Sequence, residues 1–188
     1  MCTAVDALLR AVGAQASSQG TMNNLTVGLG SDIWYETIGG GSGAGPGFHG
    51  THAVQVHMTN TRASDIEEIE ARFPVRLLQW SYRESSGGQG KWNGGDGIDK
   101  VWEFLAPASV SILAERRAAG APGADGGRPG LPGVDQVDRG AGWEAVATTM
   151  CEPQKTGVLW VVAPAGSRKG GAEDCSIACS VLQGMVAA

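Results

Sequence analysis

Charged residues make up only 18 % of this 188-residue chain, and basic ones are the scarcer sign: 14 Lys and Arg against 19 Asp and Glu, a net charge of −5. No basic run exceeds Arg116-Arg117 or Arg168-Lys169. That argues against nucleic acid or an acidic membrane surface as the main partner. Long apolar runs are missing too. The longest, Val158 to Ala163, is about a third of the ~18–20 residues that cross a bilayer. Met1-Cys2-Thr3 leads directly into Val5-Asp6-Ala7-Leu8-Leu9 without the basic and apolar regions of a secretory leader, so the expectation is a soluble, cytoplasmic protein. The four cysteines (Cys2, Cys151, Cys175, Cys179) form no C-x-x-C pair. Cys175 and Cys179 are placed for one helical face, yet no nearby histidine completes a zinc set, and reduced thiols are expected. Tyrosine is rare, with two residues against six tryptophans. In an acidic chain those tryptophans are expected to pack in the core and along its edges.

Glycine is abundant. Thirty residues of 188 exceed twice the usual ~7 %, and no Gly-X-Y period accompanies them. Val5, Leu8, Leu9 and Val12 fall on one helical face over Thr3–Ala14, with Thr3-x-x-Asp6 resembling a capping box. Beyond Gly20 the period becomes two. Asp32–Ile38, Ala53–Met58, Val75–Tyr82, Ile98–Leu105 and the shorter Val110–Leu113 read as strands. Ser64-Asp65-Ile66-Glu67 opens a brief helix that Pro74 must end. The expected fold is strand-rich α+β: a mixed or antiparallel sheet, few short helices and glycine-rich loops. From 118 to 142 the chain is rich in Gly, Pro and Ala and reads as a loop or linker. Thr156–Ala163 is one further candidate strand, and 143–188 reads as a divergent tail with little order.

Several residue groups are candidates for chemistry. Residues 39–47 carry six glycines and follow a strand, so their N–H groups are placed to face an anion or another ligand. Gly45-x-Gly47-x-x-Gly50 matches a dinucleotide fingerprint in form only, because the residues after it alternate like a strand rather than opening a helix. His49, His52 and His57 lie within nine residues. The alternation puts His52 and His57 on opposite faces, which weighs against a shared metal and leaves His57 as the best single functional histidine. It is followed by the polar run Met58-Thr59-Asn60-Thr61-Arg62. Glu115-Arg116-Arg117 reads either as a clamp for a carboxylate or phosphate or as a solvated charge cluster. Spacing alone shows no catalytic machinery.

Five blocks in order carry a resemblance: Ser18-Gln19-Gly20-Thr21-Met22-Asn23-Asn24-Leu25-Thr26; Tyr35-Glu36-Thr37-Ile38 running into the glycine loop; His57-Met58-Thr59-Asn60-Thr61-Arg62; Ser86-Gly87-Gly88 through Trp92 to Gly94-Gly95-Asp96-Gly97; and Glu115-Arg116-Arg117. Together they resemble the hydantoinase B/5-oxoprolinase family, over residues 3–133 and only in the C-terminal part of its much longer subunit. The resemblance implies ATP-dependent opening of cyclic amides such as 5-oxoproline or N-methylhydantoin. An actin-like A-type partner would bind ATP with Mg and phosphorylate the amide oxygen, and a divalent metal would lie in an N-terminal region outside this chain; related complexes carboxylate ketones. It also implies catalytic roles for His57, Glu36 and Asp96, and substrate contacts for Gly41, Gly43, Gly45, Asn60 and Arg62. No metal or cofactor is expected on this chain alone.

On this reading, residues 1–117 are the C-terminal part of a hydantoinase B/oxoprolinase-like domain. After about residue 133 the family pattern, including its closing Pro-Gly-Gly-Gly-Gly-Tyr-Gly-like end, is lost, as a shifted reading frame would produce. The expected function is a piece of an ATP-dependent cyclic-amide hydrolase subunit, inactive by itself. The alternatives are a non-catalytic docking module or a piece of a ketone carboxylase subunit.

Overall fold

A computed structural model describes residues 1–145, the backbone of 151–154, residues 157–167 and residue 169. Helix α1 (Cys2–Ala11) is followed by strands β1 (Asn24–Leu29) and β2 (Asp32–Thr37), helix α2 (Ile66–Arg72), and strands β3 (Val75–Arg83), β4 (Gly97–Phe104), β5 (Ala108–Leu113), β6 (Val134–Asp138), β7 (Trp143–Ala145), β8 (Cys151–Gln154) and β9 (Val158–Val162). They form two sheets, β2-β1-β5-β8 and β3-β4-β9-β6-β7, in which every strand pair is antiparallel. The expected strand-rich α+β class holds.

Alternation builds the core. Leu25, Val27 and Leu29 of β1, Trp34 of β2 and Val110 and Ile112 of β5 are buried together with Ile98, Trp102 and Phe104 of β4 and Leu159 and Val161 of β9. Trp34 and Trp102 meet edge-to-face across the sheets, ring centroids 4.6 Å apart. The two inner faces therefore share one apolar layer. Helix α2 starts where expected: the Asp65 side chain accepts from Glu67 N at 2.9 Å, and Ile69 is the buried residue of this short helix.

A bulge in β3 fixes what the site sees. Leu77 pairs with Trp102 but Gln79 with Val101, so Leu78 is the extra residue. Beyond it the inward positions become Trp80, opposite Lys100, and Tyr82, opposite Ile98. Both rings lie on the core-facing side of the sheet and yet are half exposed.

Four local expectations are corrected. Ala53–Met58 is no strand: apart from one bridge between Gly40 and Val54 it is irregular, because Ala53 and His57 take φ of 52° and 58°, which no strand accommodates. In α1 the buried residues are Cys2 and Asp6, whereas Leu8 and Val12 of the expected apolar stripe are exposed. The helix has no side-chain cap; the single Thr3 Oγ1 proton is instead shared between Gly20 O at 3.0 Å and Glu115 Oε2 at 3.1 Å. Within the stretch read as loop or linker, Val134–Asp138 is a strand held between β9 and β7. Finally, Asn24–Leu29, which the sequence did not single out as a strand, is the centre of the first sheet's hairpin. Residues 170–188, with Cys175 and Cys179, lie outside the described residues.

Candidate functional site

Two charged residues occupy inward strand positions. In β2 the burial alternates to place Glu36 on the same side as Trp34, and in β4 Lys100 takes its turn between Ile98 and Trp102. Because β2 and β4 belong to different sheets, the pair spans the layer between them. Lys100 Nζ donates to Glu36 Oε1 at 2.5 Å, with both side chains at most 3 % exposed. The ammonium also lies 4.9 Å from the Trp80 ring centre and 5.0 Å from that of Trp102, within cation–π range. Burial pushes Lys100 below the ordinary lysine value of 10.5, against the opposing pull of the Glu36 charge and hydrogen bond.

The pair forms part of the wall of a cavity of about 490 Å³. The end of β2, the loop from Ala53 to Ala63, Trp80 and Ile98 complete it. Asn60 and Arg62 are exposed at its rim. Gln55 is fixed by donating to Thr37 O at 2.9 Å and Thr37 Oγ1 at 3.1 Å, and Thr37 Oγ1 in turn contacts Thr61 Oγ1. Three of the expected site residues, Glu36, Asn60 and Arg62, thus converge on one cavity. Sequence reasoning missed Lys100, Gln55 and Trp80.

The other expected residues lie elsewhere. His57 Nε2 is 3.1 Å from Asp6 Oδ1, and both side chains are at most 5 % exposed. The Asp6 carboxylate also accepts from Ser18 N at 2.7 Å and from Arg116 at 3.3 Å. Asp96 Oδ1 accepts from Gly87 N at 2.7 Å and from Ser86 Oγ at 3.4 Å, while its Oδ2 is 3.2 Å from His52 Nδ1. His49 Nδ1 accepts from Asn93 N at 2.9 Å, so the three histidines have three separate partners.

The Glu115-Arg116-Arg117 run is neither a ligand clamp nor a solvated cluster. Arg116 takes Asp6, and Arg117 grips both oxygens of the buried Asp135 at 2.8 and 3.0 Å while donating to Asn23 Oδ1 at 2.9 Å. Asn23 continues the network to Gln19 Oε1 at 2.6 Å and Ile38 O at 3.0 Å.

The glycine loop also differs from expectation. The N–H groups of Gly41, Ser42, Gly43, Ala44 and Gly45 donate to Pro164 O, Thr51 O, Ser18 Oγ, Ser167 O and Phe48 O, so that none of the five is directed at an anion. A Cβ on Gly41 would collide with Gly95 O and Gly166 N, and one on Gly43 with Ala16 O. These glycines allow three backbone segments to touch. They do not line the cavity.

A family model described as hydantoinase B/oxoprolinase matches residues 1–167. The chain belongs to that family. The match continues past residue 133, through β6 and β9, where the family pattern was expected to stop. A 5-oxoprolinase of Dictyostelium discoideum is 55 % identical over 113 residues, which are 60 % of this chain and 9 % of that protein. The chain therefore spans under a tenth of that relative's length. In fold it resembles an ATP-dependent caprolactamase from Pseudomonas jessenii (TM-score 0.63, 21 % identity, 88 % of this chain and 32 % of that one). It likewise resembles a nucleotide-free acetone carboxylase (TM-score 0.66, 18 % identity, 83 % and 26 %).

Among the described residues, no three His, Cys, Asp or Glu side chains are grouped to hold a metal ion. No helix among them is long and apolar enough to cross a membrane.

Proposed function

We propose that this chain is part of a B-type subunit of a cytoplasmic, ATP-dependent hydrolase that opens a small cyclic amide of the 5-oxoproline or hydantoin kind. An unstrained amide carbonyl is a poor electrophile. Transfer of a phosphoryl group to its oxygen, by an ATP-binding A-type partner, would supply a leaving group and so admit water. On this reading the chain's share is to hold the ring, and turnover belongs to the assembly rather than to the isolated chain. The observation that carries the proposal is the coincidence of a family match with a cavity into whose wall two of the family-like blocks bring Glu36 and Asn60-Thr61-Arg62.

The test is co-expression of the chain with an A-type partner and the remaining B-type region, followed by assay of 5-oxoproline and N-methylhydantoin. ATP-dependent ring opening that falls with Arg62→Ala, a change at the exposed rim of the cavity, supports the proposal. A stable complex without turnover would overturn it in favour of a docking module. Bicarbonate-dependent ketone consumption would overturn it in favour of a carboxylase.

A further inference from the structure

A second cavity, of about 500 Å³, adjoins the first and shares Ala53, Trp80 and Ile98 with it, whereas Lys100 lines only the first. The bulge at Leu78 decides what this second cavity contains, because past it every other residue of β3 faces inward. Trp80 and Tyr82 reach it in this way and keep 48 % and 62 % of their surface exposed. Glu84, just past the end of the strand, joins them in the wall. The His52 ring packs against Tyr82, centroids 6.0 Å apart. Glu84 makes no hydrogen bond or ion pair among the described residues.

Two half-exposed rings beside an unpaired carboxylate are the chemistry that holds an organic cation. The fold already uses one of these rings in that way, since the Lys100 ammonium lies 4.9 Å from the Trp80 ring centre. That ammonium is matched by Glu36, so the pair presents no net charge to the second cavity. Side chains two apart on one face of a strand stand about 7 Å apart, so a cation seated over them can lie within about 6 Å of both ring centres. What the wall lacks decides the kind of cation. A primary ammonium carries three donors, and the lining side chains offer only Glu84 and two hydroxyls, of which that of Ser81 already accepts from Gln79 Nε2 at 2.9 Å. A fully methylated ammonium has no N–H to satisfy, and its methyl groups suit a ring face. We propose that the second cavity binds a small quaternary ammonium: its methyl groups lie on Trp80 and Tyr82, and Glu84 balances its charge. The two cavities are assigned independently, so either assignment can fail alone.

The experiment uses the chain as it exists, without partner or ATP, and three probes. Choline carries the quaternary ammonium. The alcohol 3,3-dimethyl-1-butanol has the same shape with a neutral carbon in place of the charged nitrogen, and ethanolamine keeps the charge but carries three N–H donors. Binding is measured by ligand-observed NMR and by tryptophan fluorescence at constant ionic strength. Choline should bind at least about fivefold more tightly than either of the others. Glu84→Gln removes the balancing charge and Tyr82→Leu one of the rings, and each should reduce the preference for choline over the alcohol. Glu84 is exposed and unpartnered, so its variant keeps the proposal testable if Tyr82→Leu fails to fold by circular dichroism. Equal affinities for choline and the alcohol, an ethanolamine affinity that matches choline's, no binding of any probe, or a preference unchanged in both variants would overturn the proposal.

Discussion

Replacing Lys100 by Met removes the ammonium while nearly keeping its volume, and so leaves the Glu36 carboxylate, 3 % exposed, with neither of its oxygens paired. Breaking one side of a buried ion pair costs about 3–5 kcal/mol. For a chain of this size each kcal/mol lowers the melting temperature by roughly 2–4 °C, so a drop on the order of 10 °C is expected. Glu36→Leu should cost a similar amount by stranding the ammonium between Trp80 and Trp102. The double variant removes both charges from the layer between the sheets, and buried pairs exchanged for apolar groups of similar volume are often neutral or stabilising. It should therefore be more stable than either single variant, with a coupling energy of about 3 kcal/mol or more in a double-mutant cycle. Urea unfolding followed by circular dichroism gives all four stabilities. Additive losses, with the double variant the least stable, would refute the reasoning: the two groups would not then be acting as one buried pair.

Lys100 also sets a pH dependence. Its value is lowered in the fold, so as pH rises through that lowered value toward 10.5 the folded state releases its proton before the unfolded one does, and stability from this group rises. Thermal melts between pH 7 and 10.5 should show a stability gain in the wild type relative to Glu36→Leu/Lys100→Met; a difference that stays flat or falls removes Lys100 as the cause. Gly41→Ala should cost more than ~3 kcal/mol or abolish folding, since its Cβ meets backbone and not a flexible side chain; a melt like the wild type's would contradict the packing described. Arg117→Lys loses the two-pronged grip on Asp135 and should cost about 1–3 kcal/mol by urea unfolding. His57→Ala strips Asp6 of one partner, so melting temperature and ring opening should fall together in the assembled enzyme; activity lost at an unchanged melt would return His57 to the chemistry.

Local signals were legible where one residue decides the geometry. Asp65 and Pro74 bracket α2, and the alternation of β4 is plain from Ile98 to Phe104. The run from Ala53 to Met58 alternates equally well, but two left-handed residues break it, and no hydrophobic pattern records a φ. Strand β6 was hidden because its Val-Asp-Gln-Val-Asp sequence is polar; it is a strand because Arg117 neutralises the inward Asp135, a partner 18 residues away. The site was half legible. Glu36, Asn60 and Arg62 came from the family resemblance. Lys100 had a signal that went unused: a lysine at an inward position among Ile98, Trp102 and Phe104 contradicts the apolar pattern, just as Glu36 does after Trp34. Two such breaches of opposite sign point to a pair across the core. The glycine loop misled because the same residues serve a ligand or a neighbouring backbone, and only the structure shows which carbonyls receive the N–H groups.

The contact among the backbones of Gly41, Gly95 and Gly166 also bears on how the chain is made. Its three segments are separated by most of the sequence, and the strand that seals Trp102, β9, comes about 60 residues after β4. At ribosomal rates of about 5–20 residues per second, β4 waits roughly 3–12 s with one edge open while its neighbour is synthesised. Throughout that interval the open edge of a tryptophan-bearing strand is available to other nascent chains. Premature termination anywhere before residue 158 would make that exposure permanent, and such products should be drawn to chaperones or aggregates rather than accumulate as a smaller folded form.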